Sequence, residues 1–253
     1  MNVPRETAVP GAWLAQAGGA AVSRRAPLQR RSRERVESIL TAAAQLLAEG
    51  GIDALTTRSL AVRAQIPVAT IYRYFANREE IIAAYLDHEL VLIDDAVVAA
   101  VLALERVTVR SLAEAVALAH MRHHQAHPEG VPVWFGGRLS PAVLGRVREL
   151  DERLADSLRS ATRAAGLLTG APAFSAELLV RLFDRMFEFV FLAERTAEEQ
   201  ETIVLSFVDM IATFLERFAT PAGLQGISAD EFALALREHL AGAERPSEPG
   251  SRE

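Results

Sequence analysis

The stretch TTRSLAVRAQIPVATIYRYFANREE, Thr56 to Glu80, concentrates side chains that bind polyanions. Thr57, Thr70, Tyr72 and Tyr74 bring hydroxyl groups, and Arg58, Arg73 and Arg78 bring guanidinium groups. These are the groups that phosphate oxygens and base edges need. The chain of 253 residues has a formal charge of −6, but that charge is unevenly spread. From Arg24 to Arg78 ten arginines face four acids, so this segment is basic and the remainder strongly acidic. A basic head on an acidic body points to a polyanion partner for the head and a different task for the body.

Other chemistry finds less support. The segment HMRHHQAH sets His120, His123, His124 and His127 at i, i+3, i+4 and i+7 on one helical face, a spacing zinc can use. The sequence singles out no carboxylate to complete such a site, and the same face is equally a solvated or pocket-lining stripe. No metal or other cofactor is expected. There is no recognisable Ser/His/Asp order, no glycine-rich phosphate loop and no cysteine, so an enzyme is not expected either. The pairs Asp94/Asp95 and Glu198/Glu199 read as solvated helix positions. No apolar run approaches the ~18 residues of a membrane span, and the first residues do not read as a signal peptide. The expectation is a cytoplasmic protein with no membrane partner.

The elements that must position these groups read as helices throughout. Residues 1–28 mix Gly, Ala, Pro and Arg without periodicity and read as a disordered tail. From Ser32, Val36, Ile39, Leu40, Ala43, Leu46 and Leu47 recur at helical spacing, and EGG at 49–51 stops the helix. Thr56 or Thr57 caps a short helix through Ala64; after a break at QIP another runs from about Val68 to Phe75. Asn77 with Glu80 has the pattern of a capping box, opening a long helix from Arg78 to about Arg106. Further helices are expected at 111–127, in a broken segment near 131–137, and at 141–165 with Ser140 as cap and Pro141 at its first position. Two more are expected at 176–195, capped by Ser175, and at 197–218, capped by Thr196 with Glu199. Ser228 with Glu231 opens a last helix ending near Gly242, and 243–253 read as a disordered C-terminal tail. No strand pattern is present.

Two short helices joined by a tight turn form the arrangement that lays its second helix in the DNA major groove. Leu60, Ala61 and Ala64 can pack inward against Ile66 and Ile71, leaving Thr57, Arg58, Thr70, Tyr72, Arg73 and Tyr74 outside. With its flank, TTRSLAVRAQIPVATIYRYFANREEII resembles the DNA-binding head of TetR-type transcriptional regulators. Their pattern runs T-x-R-x-[LI]-A, then [AG]-V-S-x-x-T-[LI]-Y-x-[YH]-F-x-[ND]-[KR]-E-x-[LI]. The resemblance spans roughly residues 33–85. It implies an all-α fold, with a three-helix head containing the helix-turn-helix at 29–77 and a helical ligand-binding and dimerisation body at 78–242.

Residue by residue, the resemblance implies Thr56 as helix cap, Thr57 as a phosphate contact and Arg58 as a reader of a guanine edge. Val68, Ala69 and Thr70 fall at the groove-facing start of the recognition helix. Tyr72, Tyr74 and Arg78 match phosphate-binding positions, and Phe75 a buried anchor. Two positions depart from the pattern: Gln65 stands where glycine is usual, and Pro67 replaces the usual capping serine. The function implied is a homodimeric repressor that a small-molecule ligand releases from a palindromic double-stranded DNA operator. Activation, or constitutive binding without inducer, fits the same head. An all-helical enzyme or carrier is the reading from another class.

Two expectations concern the body. Bulky groups near a helix break and on a later helix, Trp134, Phe183, Met186 and Phe187, are taken to line a largely apolar pocket, with His120, His124 or Arg138 orienting the ligand. In the helix at 197–218 two adjacent apolar rows exceed what one core face uses. Val204, Phe207, Val208, Ile211, Phe214 and Leu215 are therefore expected at a dimer interface, a four-helix arrangement with 176–195.

Overall fold

The computed structural model of the protein describes residues 26–136 and 139–235; residues 1–25 of the tail expected at 1–28, the tail expected at 243–253 and the helix end near Gly242 lie outside them. Helix α1 (Ala26–Ala54) already includes residues 26–28, which were expected in the tail. Its periodic positions Ile39, Leu40, Ala43, Leu46 and Leu47 are buried, so the spacing read in the sequence is the core face. The helical path breaks at Gly50 and Gly51, the latter at a φ of 64°, where EGG predicted a stop.

Helix α2 (Thr57–Arg63) is capped by Thr56 in a reciprocal box with Ser59: each side-chain oxygen accepts the other residue's N–H at 3.0 Å. Helix α3 (Val68–Tyr74) follows without a side-chain cap, Pro67 standing just outside it at ψ 141°. Proline is therefore the flanking residue here and not the first helical one. Gln65 in the intervening turn has a φ of 54°, the left-handed conformation that glycine would hold without strain.

Helix α4 (Arg78–Leu102) starts at Asn77, whose side chain accepts the Glu80 N–H at 2.9 Å. The return bond of the expected box goes one residue further back, from Ala76 N–H to Glu80 Oε2 at 2.7 Å. The helix also ends before Arg106. The following link is drawn into an extended pairing: Val107 N–H donates to the Ile227 carbonyl at 2.7 Å, and Arg106 Nε donates to the Gln225 carbonyl at 2.7 Å. Among the described residues, bridges of this kind are the only β pairing.

The body continues with α5 (Val109–Ala126), a 3-10 turn (Pro128–Gly130), α6 (Val131–Trp134), α7 (Pro141–Ala164), α8 (Ser175–Phe191), α9 (Ala197–Glu216) and α10 (Pro221–Gln225). Residues 229–235 are again helical. Ser175 is not the cap of α8. Phe174 holds that place, and Ser175 is buried in the first turn with its Oγ unpartnered. Helix α10 has no counterpart in the sequence reading, although Thr220 before Pro221 is a helix-start signal. Gly223 within it approaches Leu167 so closely that a Cβ would lie 2.1 Å from the Leu167 carbonyl oxygen.

Helix α4 contributes to two cores. Ile81, Ile82, Tyr85 and Leu86 close the core of the head, which also takes in Val133 and Val143 from the body. Further along, Ile93, Val97 and Val101 pack with Val107, Leu112 and Leu167. Within the second stretch Asp94 is not the solvated group its sequence suggested: burial, and after it Asp95, pushes its carboxyl up to about 7. A third cluster joins Met121 of α5 to Met186, Phe187 and Val190 of α8 and to Val204 and Val208 of α9.

Replacing Gln65 by glycine relieves the left-handed strain but adds freedom to the unfolded chain. Gln65→Gly is expected to raise stability by about 0.5–1 kcal/mol in urea unfolding, and Gln65→Val to lower it.

Candidate nucleic-acid interface and body cavity

The outer face of the head comes from two short helices fixed by what they bury. Leu60 and Ala61 of α2 and Ile71 of α3 are buried, with Ala64 and Ile66 packed partly beside them. Burying Ile71 sets the roll of α3 and turns its opposite side outward. Val68, Ala69, Tyr72 and Arg73 are exposed and Thr70 is half-buried. The Tyr72 hydroxyl lies 3.3 Å from Thr57 Oγ1, so the two helices present one hydroxyl pair at the surface. Such a pair retains spare donors for a phosphate oxygen. Arg58, on the first turn of α2, is exposed beside it.

Other side chains of the expected set are engaged within the head. Tyr74 is half-buried, its hydroxyl accepts from Arg73 Nη2 at 3.2 Å, and the Arg73 guanidinium carbon sits 5.0 Å from its ring centre. Arg78 Nη2 donates to the Ile52 carbonyl and its Nε is buried without a partner, so this arginine fastens the start of α4 to the end of α1. Phe75 is buried, as the resemblance implied. Sequence reasoning did not find the pairing of Arg63 with Glu49, Nη1 to Oε1 at 2.8 Å, which removes one arginine from the free charge of the head.

Where the head meets the body, Glu89 of α4 accepts a hydrogen bond from His123 Nε2 of α5 at 2.8 Å, both side chains being buried. The Tyr85 hydroxyl is buried beside Glu89. The 3-10 turn closes over these groups: a Cβ on Gly130 would lie 3.2 Å from both Glu89 Oε2 and the Tyr85 oxygen. The four histidines thus divide. His123 bonds Glu89, and His120 Nδ1 donates to the Val116 carbonyl at 2.8 Å. His124 is boxed by Phe135, Phe187 and Phe191 at centroid distances of 5.2, 5.9 and 5.4 Å. Burial pushes the His124 imidazole down to about 3 and that of His120 down to about 4, so both are neutral at pH 7.

Among the body helices lies a cavity of about 1220 Å³. Leu112 and His120 of α5, Leu158 of α7, and Phe183, Asp184 and Phe187 of α8 are on its wall. Of the expected pocket residues, His120, Phe183 and Phe187 line it, whereas His124, Met186 and Trp134 do not. His124 is enclosed by its rings, and Met186 points into the cluster shared with α9. Trp134 packs against the core of the head, because the helix break that carries it folds towards α1 and α4 and away from α8. Arg138 lies outside the described residues.

Residues 39–85 match the family described as bacterial regulatory proteins, tetR family. The chain carries a TetR-family head. Over 62 residues it is 37% identical to the HTH-type transcriptional repressor KstR of Mycolicibacterium smegmatis, a match covering 24% of this chain and 30% of that repressor. The chain thus spans less than a third of the length of the curated relative it matches. Beyond the TetR-type head the likeness is one of fold. A TetR-family transcriptional regulator from Syntrophomonas wolfei superposes with a TM-score of 0.60 at 18% identity, covering 72% of this chain and 96% of that one. FadR from Bacillus subtilis, solved in complex with stearoyl-CoA, gives 0.53 at 16% identity over 71% of this chain and 96% of its own.

In the TetR-like body the expected interface residues are largely spoken for. Val204, Val208 and Ile211 are buried in the chain's own core, Phe207 packs on Phe183 at 5.4 Å, Phe214 on Phe218 at 5.5 Å, and Leu215 sits half-buried in the body core. The row of Val204, Val208 and Ile211 is internal and faces α5. The ion pairs of Arg110 of α5 with Asp209 at 2.5 Å and Glu216 at 2.8 Å fix that orientation. What stands open is Leu178, Leu182 and Phe189 of α8 with Leu205 and Met210 of α9.

Burial, and after it the Asp151 carboxylate, pushes Asp184 up to about 7. A carboxyl that binds its proton more tightly when folded makes the protein less stable as pH rises from its unfolded value of about 4 to its folded one. Asp184→Asn should therefore match the wild type near pH 4 and exceed it increasingly up to pH 8, by on the order of 2 kcal/mol, in urea unfolding at each pH.

Proposed function

We propose that the protein is a homodimeric transcriptional repressor whose operator complex is released by a small molecule bound in the body cavity. The observation that carries this is the outward face of α2 and α3, where the Thr57 and Tyr72 hydroxyls pair beside exposed Arg58 on a helix rolled outward by buried Ile71. Thr57 and Tyr72 hold phosphates, Arg58 reads a guanine edge, and Val68, Ala69 and Thr70 meet the groove floor. Arg73, Tyr74 and Arg78 add positive charge and hydroxyls along the same flank. The name of KstR as a repressor, over the matched head, supports the regulatory direction. A DNA target places the protein in the cytoplasm.

Dimerisation follows from the open apolar surface. Leu178, Leu182, Phe189, Leu205 and Met210 lie on two neighbouring helices, so two copies related by a twofold axis bury them in a four-helix interface. The palindrome follows from that twofold, with half-sites about 34–36 Å apart. Communication between cavity and DNA runs through α7, whose Leu158 and Thr162 line the cavity while Val143 near its start packs in the core of the head. Arg146 Nη2, which donates to both carboxylate oxygens of Asp87 at 3.1 Å, holds α7 to α4 along the way. A ligand that spreads α7 from α8 thereby tilts the head and changes the half-site spacing. The fold neighbour FadR, solved with stearoyl-CoA, supports a ligand that carries a long apolar chain.

Selection from random duplexes by the full chain should return an inverted repeat. In fluorescence anisotropy, Arg58→Ala should lose about 1–3 kcal/mol of discrimination at one base pair per half-site, and Tyr72→Phe should weaken all sequences alike. Selection without any preferred sequence would overturn the proposal. Phe189→Glu with Met210→Glu should give a monomer in light scattering and weaken operator binding; a dimer unaffected by both changes would move the interface elsewhere.

A further inference from the structure

The wall of the cavity contains a group that ordinary packing does not explain. On α8 the inward stripe runs through Val180, Phe183, Phe187 and Val190, and Asp184 stands within it. None of the described residues donates a hydrogen bond to its carboxylate. The two arginines nearest in sequence attract it through space, yet both are exposed and give their hydrogen bonds elsewhere, Arg181 to Glu177 at 2.8 Å and Arg185 to Glu188. Asp151 of α7 is close enough to add repulsion. A half-buried carboxylate without a hydrogen-bond donor on a largely apolar wall costs stability.

A second acceptor opens on the same cavity. His120 is stacked on Phe187 at a centroid distance of 5.9 Å, and Phe187 lies one turn from Asp184. Because His120 Nδ1 donates to the Val116 carbonyl, its neutral ring leaves Nε2 as a bare acceptor. The cavity's cationic side chains, Arg159 and Arg163, are exposed, and Arg159 is paired with Asp156 at 2.6 Å. Besides hydroxyls such as that of Ser175, the largely apolar walls therefore carry two stronger acceptors, one of them a carboxyl group.

We infer that the cavity selects an apolar molecule ending in a protonated amine, with Asp184 as counter-ion and His120 Nε2 as a further hydrogen-bond acceptor. This rests on the cavity being the effector site proposed above. It goes further in giving the effector a charge sign. The apolar body of the ligand fills the space between Leu112, Leu158 and Phe183, and the ammonium replaces the missing donor at Asp184.

The test compares three probes with one tail, n-decylamine, 1-decanol and decanoate, by isothermal titration calorimetry on the full chain at pH 7.5. Decylamine should bind about tenfold or more tightly than decanol, with decanoate weakest. Asp184→Asn should bring decylamine to the level of decanol and leave decanol unchanged. Asp184→Leu should do the same while raising the Tm, separating lost recognition from lost folding. Decanoate binding tightest, an amine preference that survives both substitutions, or binding of none of the three would each overturn the inference. Anisotropy with the selected duplex separates the two levels. Asp184-dependent binding of decylamine without release of DNA leaves the site standing and removes the switch.

Discussion

Everything in this molecule turns on one helix belonging to two cores. Ile81, Ile82, Tyr85 and Leu86 of α4 are shared with the head, and Ile93, Val97 and Val101 with the body. A helix buried at both ends cannot roll at one without disturbing the other, because close-packed interiors have few alternative arrangements. Glu89 lies between the two stretches, and its bond to His123 locks α4 to α5 where the 3-10 turn presses on α1. The head is thus an extension of the body and not a module on a tether. That rigidity is what permits a cavity among the distal helices to matter to a surface formed by α2 and α3.

The head was legible because each of its features has a local signal. The Thr56 cap, the buried Leu60, Ile71 and Phe75, and the break at Gly50 and Gly51 follow from short-range stereochemistry that a sequence displays directly. Gln65 shows how far such signals reach: the turn kept its left-handed conformation without glycine, since packing on both sides of it imposes the shape. The body was legible as helices and much less so as an arrangement. Its helices are apolar on more than one side, so periodicity alone could not say which row of α9 faces α5 and which faces out. The buried Val204, Val208 and Ile211 and the open Leu205 and Met210 were indistinguishable until Arg110 was seen bound to Asp209 and Glu216.

The histidine stripe makes the same point in chemical terms. Four imidazoles at helical spacing look like a set, yet three of them have separate partners: a carboxylate from α4 for His123, a carbonyl one turn back in its own helix for His120 and an aromatic box for His124. Glu89 and Asp184, the two acids that matter most in the body, carry no sequence signal beyond falling on an apolar face. Acids there are rare, and that rarity is the one cue that singles them out.

Trp134 was taken for a pocket residue and packs instead against the core of the head, beside Gly130 of the 3-10 turn, its indole Nε1 buried without an acceptor. An indole so placed responds to the polarity and packing of the seam and has no contact with anything occupying the cavity. Its emission is therefore an internal gauge of the strain between the halves, blind to occupancy as such. A ligand that fills the cavity and leaves the gauge unmoved has been accommodated; one that shifts it has been transmitted. The chain thus carries its own means of telling storage of a small molecule from the message that molecule conveys.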